Sequence, residues 1–148
     1  MECLQTNPNS TWDVIARSAT FQTTQGGGES WDALGGAPDG FICWFDNCAA
    51  GTGSACTAVT SDAFSATFNT TLASSITAST LMNTSSAFCI CLYDEDATTD
   101  DIAGCVGGGF ATAADIQAGQ VSLTLQANLQ SSPVVYGNAG MVIGFVAH

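Results

Sequence analysis

The chain contains no lysine and a single arginine, Arg17, against thirteen acidic residues, which leaves a formal net charge of −12 over 148 residues. A protein that grips nucleic acid neutralises phosphates with Lys and Arg, so one arginine excludes nucleic-acid partners. Anionic membrane surfaces are disfavoured for the same reason. Without lysine there is no Schiff-base chemistry, no phosphate-loop lysine and no lysine-based isopeptide crosslink. The one histidine is His148, the last residue. A catalytic base must be held rigidly, and chain ends rarely are, so Ser-His-Asp and Cys-His centres are set aside. HExxH, GxSxG and a GxGxxG that opens a helix are all missing. No enzyme is expected. Paired carboxylates, which suffice for glycoside hydrolysis, leave a carboxylate-dependent hydrolase as a third reading behind the two given below.

Long apolar runs are missing too. Nothing approaches the ~18 residues of a membrane span, so no membrane insertion is expected. The opening MECLQTNPNST lacks the apolar core of a signal peptide. Either a leader has been removed, or the protein is released by another route, as a virion component would be.

What is abundant is cysteine, serine, threonine and glycine. Seven cysteines in 15.0 kDa, on a Ser/Thr/Gly-rich background, point to an oxidising setting: extracellular, cell-surface or virion. Three N-x-S/T triplets, at Asn9, Asn69 and Asn83, make those asparagines glycosylation candidates in a host that performs the reaction. Cys43, Cys48, Cys56, Cys89, Cys91 and Cys105 are read as a disulfide framework in preference to zinc thiolates, because their spacing matches no common zinc module and no internal histidine helps. In an extended Ala87–Tyr93 segment, Cys89 and Cys91 share a face, which favours different partners for each; Cys43 is a natural candidate for one of them. The odd count leaves Cys3 as the candidate for a disulfide to a neighbouring subunit.

Along the chain, residues 1–10 read as an irregular N-terminal arm, and 11–148 as one antiparallel β-sandwich or jelly-roll-like domain with at most one or two short helices. The strand signals are the β-branched and aromatic mix of Thr11–Thr24, the doubly apolar runs Phe41–Phe45 and Ala87–Tyr93, and the period-two alternation of Phe64–Leu72, with Asn69 on its wet face. Val121–Leu129 alternates likewise. Val134–Tyr136 and Met141–Val146 flank Gly137-Asn138-Ala139-Gly140 as a hairpin would. Thr112–Gly119 suits a short helix ending at its glycine. Residues 26–40 form a long Gly-rich loop carrying Trp31, the one tryptophan offered as a ligand contact.

Between Cys91 and Cys105 lies a run of carboxylates with no base nearby in sequence. Asp94, Asp96, Thr98 and Asp100 fall at positions 1, 3, 5 and 7 of an EF-hand-like loop, with Asp101 beside them. The match then fails, since Thr99 stands where glycine is needed and Cys105 where a bidentate glutamate belongs. The segment reads as a solvated acidic loop, with calcium (Ca2+) as the cofactor if it is a site; none is otherwise required.

The leading functional expectation is a structural subunit of an extracellular or virion assembly, such as a filament, pilus-like fibre or coat, partnered by copies of itself through the arm. The alternative is a secreted carbohydrate- or ligand-binding module, calcium-dependent through the acidic loop. Arg17 is the single tryptic position, so a processing cleavage after it is a further expectation.

Overall fold

The computed structural model describes residues 7–148. Cys3, and with it the expected intersubunit disulfide, lies outside the described residues.

Eight strands make two four-stranded antiparallel sheets. The first sheet has the order β4-β1-β8-β7, from β1 (Thr11–Phe21), β4 (Ser65–Thr77), β7 (Gln120–Leu125) and β8 (Ala139–Ala147). The second has the order β3-β2-β5-β6, from β2 (Gly40–Asn47), β3 (Thr52–Cys56), β5 (Cys89–Asp94) and β6 (Asp101–Gly107). The all-β sandwich is therefore as the strand signals implied. Between the sheets lie Val14, Ala16, Met141, Ile143 and Phe145 from one side and Ile42, Trp44, Ile90 and Leu92 from the other, all buried. Each such large side chain contributes about 1.5–3 kcal/mol on leaving water. Trp44 stacks on Phe88 with ring centroids 4.5 Å apart, closing one end of the core. Two short helices complete the chain, α1 (Ala78–Met82) and α2 (Ala113–Ala118). In α2, Thr112 and Asp115 form a capping box and Gly119 ends the helix, as the sequence predicts. No helix among the described residues is long and apolar enough to cross a membrane.

One expected hairpin is absent. Val134–Tyr136 does not pair with β8; β8 lies between β1 and β7. Val135 instead bridges Ile102 and Asn128, and the Tyr136 and Gly137 N–H groups donate to Ile102 and Ala103 carbonyls. The chain thus caps the β6 edge and then, through Gly137 and Asn138 at positive φ, crosses to the other sheet. A Gly-Asn pair supplies the left-handed conformations of a tight hairpin, and a sheet-to-sheet crossing uses the same ones.

The six cysteines of the described residues form three disulfides: Cys43–Cys56, Cys48–Cys89 and Cys91–Cys105. None of the six is left as a thiolate for zinc. Cys89 and Cys91 do have different partners, but Cys43 bonds to neither. The reason is register. Cys43 lies directly opposite Cys91 on one side and Cys56 on the other, and it bonds across to the edge strand while Cys91 bonds to the opposite edge. Cys56, Cys43, Cys91 and Cys105 therefore form one transverse row over the outer face of the second sheet. Arg17 lies at the irregularity of β1 between Ala16 and Ser18, inside a strand flanked by β4 and β8, a poor position for processing.

Candidate metal centre

Strand order sends four connections to the same end of the sandwich: residues 22–39, 57–64, 95–100 and 126–138. Of the thirteen acids, nine belong to this end: Glu29, Asp32, Asp39, Asp62, Asp94, Glu95, Asp96, Asp100 and Asp101. The two basic side chains are elsewhere. Arg17 is within β1, and His148 pairs with Asp13 at 2.9 Å where β1 begins.

Asp94 is the centre of the arrangement. Along β5 the side chains of Ile90 and Leu92 point between the sheets, and the alternation carries Asp94 inward after them, fully buried. Its Oδ1 accepts the Asp39 N–H at 2.7 Å, while Oδ2 is buried with no hydrogen-bond partner among the described residues. Burial, followed by the charges of Asp96, Asp32 and Asp101, pushes its carboxyl up to about 7 against the Asp39 hydrogen bond. Asp32, Asp94 and Asp96 each bring one carboxylate oxygen to within 4.8 Å of the others. Asp32 and Asp96 are raised as well, both chiefly by burial and then by neighbouring carboxylates. Asp101 is raised by burial, although it accepts the Gln25 side-chain amide at 3.2 Å.

The loops that supply these groups are anchored rather than loose. Trp31 is 2% exposed, its indole N–H donating to the Gln22 carbonyl at 2.8 Å and its ring edge-on to Phe21 at 5.0 Å. It therefore holds the Gly-rich loop to the core, while also contributing to the lining of the open cleft shared with Thr98 and Tyr136. The next residue, Asp32, is placed over Asp94 as a result. Gly36 leaves the room this requires, because a Cβ there would stand 2.6 Å from Asp32 Oδ2. Asp39 and Asp62 tie the 57–64 connection in, Asp39 accepting the Asp62 N–H at 2.5 Å and Asp62 accepting the Ala37 N–H at 3.1 Å.

Of the residues singled out in the acidic loop, Asp94 and Asp96 belong to the three-carboxylate cluster, and Thr98 and Asp100 do not. Asp100 accepts the Asp96 N–H at 3.1 Å and so closes the turn. Thr98 lines an adjacent open cleft of about 550 Å³ with Gln25, Glu29, Asp101 and Tyr136. Asp32 and Asp39 went unremarked in the sequence, where they are isolated acids in a glycine-rich loop; the signal available was that this loop alone carries three carboxylates and no base. Chemically the cluster is a set of hard oxygen donors, one of them buried and unsatisfied, which suits a hard cation. The three sequon asparagines, Asn9, Asn69 and Asn83, are all exposed and none belongs to the cluster.

No protein-family model matches the chain, and no curated protein matches it in sequence. Solved structures do match it in shape. A C2 domain of plant Extended Synaptotagmin 1 superposes with a TM-score of 0.59 at 14% identity, over 96% of this chain and 98% of that one. The tandem C2 domains of Extended-Synaptotagmin 2, solved with calcium bound, give 0.52 at 14% identity, over 96% of this chain and 47% of the tandem pair. Human GIVD cytosolic phospholipase A2, in a complex containing terbium chloride, gives 0.57 at 16% over 93% of this chain, which spans 17% of that protein. At such identities the likeness is one of fold, and the fold is a β-sandwich of the C2-domain shape.

Proposed function

We propose that the chain is a calcium-dependent binding module whose acidic loop end takes up the ion. The observation that carries this is Asp94 Oδ2, buried without a partner among the described residues, in a cluster with two further carboxylates within 4.8 Å. A buried, unsatisfied carboxylate oxygen is destabilising in isolation, and a divalent cation removes both the desolvation and the like-charge cost. Similarity in fold to a calcium-bound C2 pair and to a phospholipase solved with terbium chloride supports the same reading. Ligand contact would fall at this end, where Leu34 stands fully exposed close to Asp32. Three disulfides support an extracellular or virion-exposed setting.

The structural-subunit reading drew on composition, on the lack of catalytic equipment and tryptic sites, and on Cys3 and its arm, which lie outside the described residues. The binding module is the better supported of the two.

Calorimetric titration with calcium, and terbium luminescence sensitised by the nearby Trp31, test the proposal. Saturable binding that raises the melting temperature, and that is lost in Asp32→Asn/Asp96→Asn, is expected. A melting temperature unmoved by millimolar calcium would remove the site.

A further inference from the structure

The two hairpins of the second sheet are built as counterparts. Cys43–Cys56 staples β2 to β3, and Cys91–Cys105 staples β5 to β6; both span 4.1 Å between Cα atoms, with sequence separations of 13 and 14. They sit in the same transverse row of the sheet. Their closed loops face opposite ends. The Cys43–Cys56 ring encloses the turn at 48–51 and Asp46, at the end opposite the nine clustered acids, whereas the Cys91–Cys105 ring encloses Asp94, Asp96 and Asp101.

Between the Cys91–Cys105 row and the Asp94–Asp101 row the register shifts, Leu92 pairing with Gly104 and Tyr93 with Ile102, so that β6 carries one extra residue. A bulge is a place where pairing can slip, and a slip of one residue turns every following side chain to the other face. For β6, an edge strand held on its far side, among the described residues, by the 135–137 segment, such a slip would turn Asp101, the neighbour of Asp96, away from the three-carboxylate cluster. The disulfide pins the register on one side of the bulge. Asp94 and Asp101, the last pair of the hairpin, complete it on the other.

Resting on the calcium reading above, we propose that Cys91–Cys105 is the positioning element of the cation site and makes its affinity sensitive to thiols. Calcium needs six to eight oxygens at roughly 2.3–2.6 Å, so a register slip removes ligands outright. Of the bridge, Cys91 is buried and Cys105 exposed, which gives a thiol access from one side. One thiolate of a dithiol attacks Cys105 Sγ, the S–S bond breaks and its electron pair leaves on Cys91 Sγ, which takes up a proton. The second thiolate of the dithiol then closes on the first sulfur and releases Cys105 as a thiol. The protein gains two electrons and two protons, and the dithiol is oxidised to a cyclic disulfide.

The test compares two double variants of the full chain by calcium calorimetry. Cys91→Ala/Cys105→Ala should weaken binding at least about tenfold, and Cys43→Ala/Cys56→Ala less than about twofold. Equal losses in both, or none in either, would overturn the proposal. A second measurement on the unaltered protein needs no variant to fold. Linkage requires that calcium protect the bridge it depends on, so millimolar calcium should slow dithiothreitol reduction and alkylation of Cys91 and Cys105 at least about tenfold and leave Cys43 and Cys56 unaffected, as read by mass spectrometry. Uniform protection, or none, overturns the proposal while leaving calcium binding itself standing. Oxidised wild-type protein that binds no calcium would overturn the parent reading and this one with it.

Discussion

Replacing Asp94 with asparagine should stabilise the cation-free protein and abolish its response to calcium. Asn keeps the Oδ1 that accepts the Asp39 N–H and puts an uncharged amide where the unpartnered oxygen lies, much as a proton would. The carboxyl of Asp94 titrates at about 7 in the folded chain, against 3.8 for the ordinary group. Between those values the folded state holds a proton that the unfolded chain has released. Stability therefore falls as pH rises through that window, and the whole of the loss is in place above about pH 7. A shift of about three pH units corresponds to about 4 kcal/mol, with water penetration and relaxation reducing it, so a gain of about 2–4 kcal/mol is expected for Asp94→Asn at pH 8. For a domain of this size that is a rise of ~5–15 °C in melting temperature. At pH 4 both folded proteins are neutral at this position and the unfolded chain is only about half ionised, so the difference should shrink to under about 1 kcal/mol. Urea denaturation of the two proteins at pH 4, 6 and 8 in the presence of a chelator reads it directly. Saturating calcium should then reverse the order at pH 8, because the ion stabilises the wild type by mass action and has no site in the variant. A variant less stable than wild type at pH 8, or a difference independent of pH, would refute the reasoning, since either would mean that the Asp94 charge is already compensated.

Calcium affinity should fall about tenfold per pH unit below pH 7 and level off above it, since uptake displaces the Asp94 proton; titrations at pH 5.5, 6.5 and 8 check the slope. Trp31→Ala should cost about 3–5 kcal/mol in chemical denaturation and, at temperatures where the variant stays folded, weaken calcium binding as well, because the same anchor holds Asp32. Trypsin should leave the folded chain intact and cut it at Arg17 only once urea unfolds it, as mass spectrometry would show, because the bond lies in a strand paired on both sides. Thr112→Ala should remove about 1 kcal/mol of stability by deleting both hydrogen bonds of the Thr112 hydroxyl, from the Asp115 N–H and to the Asp115 carboxylate.

Most of the fold was legible because it is local. Alternation in Val121–Leu129, the apolar runs around Trp44 and Ile90 and the cap signals of α2 each depend on neighbours in sequence, and each element forms there, although β7 ends at Leu125, short of the predicted Leu129. What could not be read depends on which strands become neighbours. Cys43 opposite both Cys56 and Cys91 is a property of strand order, as is the use of Gly137-Asn138 as a crossing between sheets. The candidate site divides in the same way. Asp94 and Asp96 stand in an acidic cluster that any charge count finds, whereas Asp32, about sixty positions earlier, joins them only because residues 22–39 and 95–100 emerge at the same end. Period two also held a clue in β5: extending the inward positions Ile90 and Leu92 by one step reaches Asp94, a carboxylate on the core face of a strand.

The distribution of crosslinks and charge over the two sheets gives these features a common cause. All three disulfides belong to the β3-β2-β5-β6 sheet or the turn that leaves it, and none to the other. The same sheet leads into much of the acidic end, with Asp94 and Asp101 ending its β5–β6 hairpin and Asp39 immediately preceding β2. Close carboxylates repel by about 1 kcal/mol per pair near water and by more where burial lowers the dielectric, and nine of them at one end without a base press these strands apart. Ordinary hairpin pairing contributes only tenths of a kcal/mol per cross-strand contact. Cys91–Cys105 holds β5 to β6 against that repulsion without supplying any counter-charge, so the carboxylates that end this hairpin stay gathered. A lysine beside Asp94 would have relieved the same strain and filled the site permanently. The missing lysines and the cystines thus act together: the sheet is held together by sulfur while its acidic end carries no built-in counter-charge.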